Sequence, residues 1–153
     1  MDLVSPEIKI RLVAIAILQH QDKFLMQLRD DIPTIVHPGV WTMFGGHLEA
    51  DEEPITGIRR ELHEEIGYIP EQIHLFRSYL SNQLIRYVFY GRLDVGIDIL
   101  ELNEGWDMDL LSSEEIVKGS HYSCQALQDR PIAPSHRQIM LDFLSSCENS
   151  HRG

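Results

Sequence analysis

The stretch that decides the fold runs from Gly46 to Tyr68 and reads GHLEADEEPITGIRRELHEEIGY. Near its end, Glu61, Glu64 and Glu65 stand at positions i, i+3 and i+4. In a helix, residues at these spacings are neighbours on one face, and like charges there repel each other. Divalent cations such as Mg²⁺ bind carboxylate oxygens, waters and substrate phosphates. The pattern therefore predicts a helix that presents a metal-binding face for phosphate chemistry.

A run of glutamates on a helix is most often only a solvated surface, so the surrounding residues decide between the two interpretations. From Gly46 the order is Gly, five residues, Glu, seven residues, Arg-Glu, an apolar residue, one residue, Glu-Glu, one residue and Gly. This spacing resembles the Nudix box of the MutT-like hydrolases. The matching residues are Gly46, Glu52, Arg60, Glu61, Leu62, Glu64, Glu65 and Gly67. Tyr68 departs from the family, which more often has an aliphatic residue there, and this change concerns packing and not chemistry.

The resemblance implies a fold, an activity and a cofactor. The implied fold is α/β, an α/β/α sandwich with a mixed β-sheet, formed by residues 1–153 as a single Nudix hydrolase domain. The implied activity is divalent-metal-dependent hydrolysis of the pyrophosphate linkage in a nucleoside diphosphate joined to another moiety, X. The substrate would be a small nucleotide, either a nucleoside triphosphate or a nucleotide sugar. The implied cofactor is Mg²⁺, with Mn²⁺ as the alternative.

The resemblance also assigns roles to residues of the box. The implied catalytic residues are Glu52, Arg60, Glu61, Glu64 and Glu65. The implied metal ligands are the three helical carboxylates of Glu61, Glu64 and Glu65 and the backbone carbonyl of Gly45. Glu61 is also a candidate base for the attacking water. Glu52 and Arg60 would support the site, with Arg60 holding the carboxylates in place.

Outside the box, four further residues are predicted to belong to the site. Many relatives have another glutamate in a loop after the later strands, and Glu104 is the candidate here, although a plain loop glutamate is the alternative. Arg29 ends a predicted strand beside the 30–39 loop, which is a candidate specificity loop, and could contact a phosphate. Phe44 and Trp106 are candidate base-stacking residues, although aromatic residues in strands more often pack in the core.

The net charge and composition of the chain limit the kinds of molecule that it is expected to bind. The net charge of −11 should repel nucleic-acid backbones, which argues against a nucleic-acid polymer as partner. It would also repel an anionic substrate unless cations offset the field, which favours a metal-dependent site. No signal peptide is apparent at the N-terminus, and the longest apolar run, 12–18, is too short to span a membrane. With only two cysteines, both expected to be reduced, the chain is predicted to be cytoplasmic. The family resemblance adds a homodimer as a candidate assembly.

Hydrophobic periodicity and turn residues predict the secondary structure. The predicted strands are 8–18, 23–29, 40–44, 72–80, 84–93 and 97–102. The predicted helices are the box helix, which begins at an Asp51 N-cap and ends before Gly67, a short helix capped near 112–115, and a last helix over 136–146 that is capped by Ser135. In the box helix the apolar stripe is expected on a different face from the three carboxylates.

Two other functions are alternatives to this hydrolase. A non-catalytic Nudix-like domain that senses nucleotides or binds a partner would tend to lose box carboxylates, whereas this chain retains all of them. A Nudix-fold isomerase of prenyl diphosphates would usually be longer and would have a catalytic cysteine before the box, whereas no cysteine precedes Cys124. The box leaves open which nucleoside diphosphate derivative is the substrate, how many metal ions bind and which glutamate is the base.

Overall fold

The computed structural model describes residues 9–150, and the side chains of residues 9–148, as a large sheet with helices against it. The seven strands of the sheet are β1 Arg11–His20, β2 Lys23–Leu28, β3 Trp41–Thr42, β4 Phe44–His47, β5 Ile73–Ser81, β6 Leu84–Arg92 and β7 Asp107–Ser112. A separate hairpin pairs β8 Ser120–Ser123 with β9 Gln128–Pro131. The helices are α1 Pro54–Ile66, α2 Ser113–Lys118 and α3 Pro134–Ser150.

Strand β1 is the centre of the sheet. It pairs antiparallel with β2 near its C-terminal end and with β4 near its middle, and it pairs parallel with β6 along its length. Strand β2 then pairs with β7, and β6 pairs with β5. The parallel β1–β6 pair among antiparallel neighbours makes the sheet mixed, as predicted.

The two faces of the sheet carry two separate cores. Side chains alternate along a strand, so Ala14, Ala16 and Leu18 of β1 pack on the α1 side, in a cluster that also contains Ile58, Leu62 and Ile66. Ile15 and Ile17 pack on the opposite side, in a cluster that also contains Ile139, Met140 and Phe143 of α3. A fully buried side chain of this size contributes about 1.5–3 kcal/mol to stability. Helices on both faces confirm the predicted α/β/α sandwich.

The N-cap of helix α1 lies two residues later than predicted. Asp51 has a φ of 61° and lies in the preceding turn, so the prediction that it is the N-cap is wrong. The N-cap is Glu53, whose side chain makes no capping hydrogen bond, and Pro54 starts the helix with its ring already in a helical φ. At the other end Gly67 adopts a left-handed φ of 66° and donates its N–H to His63 O, as expected of a terminating glycine.

The segment after β6 differs most from the sequence prediction. The strand predicted over 97–102 is instead a single 3₁₀ turn, Ile97–Ile99, whose Ile99 side chain is exposed. Strand β7 was not predicted, because polar Asp107 and Asp109 interrupt its apolar residues and obscure the strand pattern. The short helix α2 does begin with a capping box, formed by Ser112 and Glu115.

The C-terminal helix also begins differently from the prediction. Ser135 was expected to cap it, but α3 already starts at Pro134. The β8–β9 hairpin, which precedes this helix, was not predicted. Residue 8 of the first predicted strand and the N-terminal segment inspected for a signal peptide lie outside the described residues. None of the helices within 9–150 has the length and apolar character needed to cross a membrane.

Candidate active site

The Arg60 guanidinium holds three carboxylates of the box at one end of β4. Its Nε and Nη2 donate to Glu52 at 2.8 and 3.0 Å. Its Nη1 donates to Glu61 at 3.0 Å and to Glu64 at 3.3 Å. Its Nη2 also reaches the backbone carbonyl of His47 at 3.2 Å. A planar guanidinium matches carboxylates in this paired geometry better than an ammonium does, so Arg60 fixes the spacing of these acidic side chains.

Glu52 is the principal partner of that guanidinium. Its hydrogen bonds from Arg60, followed by one from the Glu49 N–H, hold the pKa of Glu52 at about 2. The carboxylate is therefore ionised throughout the neutral range. The same hydrogen bonds raise the pKa of Arg60. The pair is thus a fixed charged support beneath the more exposed acidic residues.

Glu65 lies in a different environment from its neighbours. It is only 7% exposed, and its Oε1 and Oε2 accept hydrogen bonds of 3.0 Å from the Gly45 N–H and the Gln27 Nε2. Burial, together with the negative charge of Glu61, raises the pKa of Glu65 well above the usual range for a glutamate. The two donors oppose this effect by stabilising the ionised form.

The three predicted helical ligands therefore differ in exposure. The side chain of Glu64 is 55% exposed and that of Glu61 is 15% exposed, whereas Glu65 is buried beside the core. The expectation that all three lie clear of the apolar stripe is wrong for Glu65, because position 65 is within one turn of both Leu62 and Ile66 and shares their side of α1. The exposure of the three carboxylates therefore decreases from Glu64 through Glu61 to Glu65.

Both glycines before the helix are required by close approaches. Gly45 has a φ of 141°, and a Cβ there would collide with the backbone of Ala14 on β1. At Gly46 a Cβ would lie 2.8 Å from the carboxyl carbon of Glu61. Glycine at 46 therefore leaves space for the Glu61 carboxylate against the sheet, which explains the glycine pair in terms of the site.

Within the described residues, no three acidic, histidine or cysteine side chains converge as ready metal ligands. Of the three predicted helical ligands, Glu61 and Glu64 accept hydrogen bonds from Arg60. Glu65 instead accepts hydrogen bonds from Gly45 and Gln27. The donor chemistry nevertheless suits a hard divalent cation, which prefers carboxylate oxygens. The charge of Glu61 disfavours ionisation of Glu65, and a cation shared by the two carboxylates would remove that repulsion.

The loop that contains Glu104 is tied to the end of α1. Asn103 donates its backbone N–H to Glu65 O at 3.0 Å and its side-chain amide to Glu64 O at 2.7 Å. These bonds bring the exposed Glu104 to the end of the helix that carries the box carboxylates. Glu104 lines a cavity of 500 Å³ together with Gln27 and Arg29. The tertiary structure thus brings Glu104 and Arg29 to the same cavity, beside the box.

A second cavity, of 420 Å³, adjoins the box and includes Gly45 and Gly46 in its lining. Gln27 and Arg29 line both cavities. Two openings that share one wall therefore lie near the box, one lined by the glycine pair and the other by Glu104.

A model of the NUDIX domain matches residues 9–143 of the chain. The chain belongs to the NUDIX domain family. This match confirms the Nudix-type hydrolase predicted from the box at the level of the family. No match is found among curated proteins.

Solved structures with this Nudix fold are similar to the chain over most of its length. The MutT protein from Methanosarcina mazei Go1 is 21% identical, with a TM-score of 0.68 over 93% of this chain and 98% of that one. The NUDIX domain of NrtR from Shewanella oneidensis, complexed with ADP ribose, is 17% identical, with a TM-score of 0.68 over 89% and 87%. A bifunctional NMN adenylyltransferase/ADP ribose pyrophosphatase from Francisella tularensis is 23% identical, with a TM-score of 0.62 over 94% and 43%. These likenesses concern the fold.

The two aromatic residues predicted to bind substrate in this Nudix domain occupy different places. Phe44 is fully buried in the core on the α1 side, so its ring has no surface for a substrate and the prediction is wrong. Trp106 is half-buried, packs against the α3-side core and lines neither of the two cavities. Its side chain therefore serves the packing of the loop in the described structure.

Sequence reasoning missed two polar residues of the Nudix site. Gln27 is 2% exposed and binds Glu65, and the signal for it was a lone amide in the otherwise apolar stretch FLMQL. His136, at the start of α3, is 6% exposed, and its Nδ1 accepts the Met43 N–H at 3.0 Å. No local pattern marks His136, because its role arises from packing between segments 93 residues apart.

Proposed function

We propose that this chain is a divalent-metal-dependent hydrolase that cleaves the pyrophosphate linkage of a nucleoside diphosphate joined to a moiety X. The observation that supports the proposal is the set of box carboxylates gathered by Arg60, next to the Gly45–Gly46 pair that lines the 420 Å³ cavity. Relatives of similar fold include an ADP ribose pyrophosphatase and a Nudix domain complexed with ADP ribose. Nucleotide sugars and nucleoside triphosphates are therefore both candidate substrates.

The proposed metal ligands are Glu61, Glu64, Glu65, the backbone carbonyl of Gly45, and Glu104. Mg²⁺ is the proposed ion, with Mn²⁺ as the alternative, because all of these donors are oxygens. When bound, such a cation neutralises charge on diphosphate oxygens and lowers the pKa of a bound water.

The remaining steps are assigned to side chains of the protein. Arg60 fixes Glu61 and Glu64 at a defined spacing, and Glu61 is the candidate base that orients or deprotonates the attacking water. The Gln27 amide and the Gly45 N–H favour the ionised form of Glu65. Arg29 stands between the two cavities, where its charge attracts a phosphate despite the net charge of −11.

A substrate panel with Mg²⁺ or Mn²⁺ tests the proposal by identifying the released products. Pyrophosphate with a nucleoside monophosphate indicates a nucleoside triphosphate, and a monophosphate with a sugar phosphate indicates a nucleotide sugar. Glu64→Gln should reduce turnover by about two orders of magnitude and leave the fold intact, because the Glu64 side chain is exposed. Glu53→Gln, at an exposed glutamate outside the cluster, is the matched control. Nucleotide binding without any product would reject the hydrolase in favour of a sensing domain.

The proposal extends to location and assembly. The proposed location is the cytoplasm, because the chain has only two cysteines and a disulfide-rich framework is typical of secreted proteins. A homodimer is the assembly that the family resemblance implies, and light scattering of the purified protein measures it directly.

A further inference from the structure

The 420 Å³ cavity beside the box carries the positive charges of three arginines. Its lining contains three arginines and three histidines, and no aspartate or glutamate among the described residues. The six cationic or titratable residues are Arg11, Arg29, Arg86, His37, His47 and His136. The whole chain has a net charge of −11. A pocket of opposite sign to the rest of the molecule attracts and concentrates anions.

Two of these arginines lack counterions. Within the described residues, neither Arg29 nor Arg86 has a carboxylate within ion-pair distance. The Arg29 Nε is buried and has no hydrogen-bond partner. Burial also lowers the pKa of Arg86, with no acidic group to oppose the change. Partly buried charges without partners are unfavourable, so these guanidinium groups are arranged for a negative group that the protein itself does not supply.

Two histidines complete the donor set. Because the Nδ1 of His136 accepts the Met43 N–H, the neutral ring carries its proton on Nε2 and remains a donor there. Burial, and then the positive charges of His37, Arg86 and Arg29, holds the pKa of His136 far below its usual value. His37 has a left-handed φ of 56°, and its ring contacts that of His136 edge-on, with 5.4 Å between centroids.

The cavity is continuous with the hydrolytic centre. Gly45 and Gly46 belong to its lining, and Gln27, which binds the Glu65 carboxylate, lies in the same wall. A group held by Arg86 therefore belongs to a molecule whose diphosphate can lie against the box carboxylates. No Phe, Tyr or Trp lines this cavity among the described residues, so it offers no broad aromatic surface for stacking a base.

We propose that this cavity binds a phosphate monoester that the substrate carries in addition to the diphosphate that is cleaved. A phosphate monoester presents three acceptor oxygens, which suit donors that converge from β6, from the end of β2 and from the start of α3. A carboxylate presents only two oxygens in one plane. The assignment of the group to the substrate rests on the proposed hydrolase function, whereas the anion-binding character of the cavity does not.

Binding of inorganic phosphate in the presence of a chelator tests the cavity without any turnover. Phosphate titrated into the isotopically labelled protein should give saturable changes at the amides of Thr42, Met43 and Gly45, which lie in the lining. Arg86→Gln should weaken this binding by about tenfold or more, since it removes a charged donor. Arg92→Gln, at an exposed arginine of the same strand, should leave it unchanged. Equal phosphate affinity in the Arg86→Gln protein overturns the assignment.

A second measurement compares two substrates that differ only by one phosphate monoester on X. The wild-type protein should prefer the phosphorylated compound by about tenfold or more in kcat/KM, and Arg86→Gln should abolish the preference. Equal kcat/KM for both compounds overturns the inference and leaves the hydrolase function standing. Phosphate binding without hydrolysis of either compound rejects the hydrolase and retains the anion site. If Arg86→Gln does not fold, Arg86→Lys should show reduced phosphate affinity, and unchanged affinity overturns the proposal.

Discussion

The side-chain amide of Gln27 donates a 3.0 Å hydrogen bond to the Glu65 carboxylate, which lies 38 residues further along the chain. Both side chains are almost completely buried, at 2% and 7% exposure. Gln27 is on β2, in the wall shared by the two cavities, and Glu65 is on the box helix. The bond thus connects the substrate-facing sheet to the most deeply buried carboxylate of the candidate site.

Replacing Gln27 by leucine should impair catalysis by changing the ionisation of Glu65. The carboxylate would lose one of its two donors, and its pKa, already raised by burial, would rise further. A hydrogen bond to a charged group is worth about 1.5–3 kcal/mol, so the acidic limb of the activity profile should move upward by about 1–2 pH units. Activity lost at neutral pH should return in part at higher pH.

The control for this substitution is Gln138→Leu. Gln138 also donates to a carboxylate, that of Asp142, at 3.1 Å, but it does so on the exposed surface of α3. The pH–rate profile of this variant should equal that of the wild type. An unchanged acidic limb in the Gln27→Leu enzyme would contradict the role assigned to the amide.

Arg60→Lys should lower kcat by about tenfold or more while the positive charge is retained. Lysine cannot donate simultaneously to Glu52, Glu61 and Glu64 in the forked geometry that the guanidinium provides. The side chain of the neighbouring Arg59 is exposed and makes no hydrogen bond or ion pair in the described structure, so Arg59→Lys is the matched control. Steady-state kinetics over a range of Mg²⁺ concentrations measures both effects, and equal kcat values for the two variants would rule out positioning by Arg60.

Gly46→Ala should inactivate the protein with little loss of stability. The added methyl group would lie 2.8 Å from the Glu61 carboxyl carbon and displace that side chain, whereas the backbone at 46 does not have the positive φ that strains an alanine. Gly67→Ala should have the opposite outcome, because its φ of 66° is unfavourable for alanine by about 1–2 kcal/mol but no atom lies near the new methyl group. Thermal unfolding and kcat, measured for both variants, separate the effect on activity from the effect on stability. Full activity in Gly46→Ala would refute the claim that Gly46 leaves room for the Glu61 carboxylate.

A cluster away from the site should make stability pH-dependent. His121 is 12% exposed in its side chain and contacts Glu115 and, at 2.8 Å, Asp109. Burial opposes the charged histidine, but these hydrogen bonds outweigh it and raise the pKa of His121 above 6.5. Burial is likewise outweighed at both carboxylates by their hydrogen bonds, including those with His121, so the pKa of Asp109 and of Glu115 is lowered.

The directions of these three pKa shifts define a pH range in which the cluster stabilises the fold most. The histidine contribution is complete below pH 6.5 and is lost as the pH rises through the raised pKa. The carboxylate contributions are complete above their ordinary values of 3.8 and 4.5 and are lost as the pH falls through the lowered ones. Denaturant unfolding of His121→Gln should therefore differ most from the wild type between pH 4.5 and 6.5. His74→Gln, at an exposed histidine, should show no such window, and a pH-independent difference for His121→Gln would disprove the linkage.

The parts of this protein that were predictable are those that local chemistry specifies. The apolar β-branched run of β1, the terminating Gly67 and the spaced residues of the box each act over a few residues, where propensity and side-chain periodicity dominate. The prediction of a strand over 97–102 was wrong because it relied on the apolar residues of this segment alone. A strand also requires a neighbouring strand to pair with, and no described strand pairs with this segment.

The sequence by itself determined the α/β class, the box helix and the acidic residues offered for catalysis, because these follow from the order and spacing of neighbouring residues. Only the tertiary structure decided that Phe44 faces the core, that Glu65 is buried against Gln27, and that Arg29 and Arg86 converge with His136 on one cavity. These relationships join segments that are distant in the chain, and burial, hydrogen-bond partners and electrostatic fields exist only once those segments are packed together.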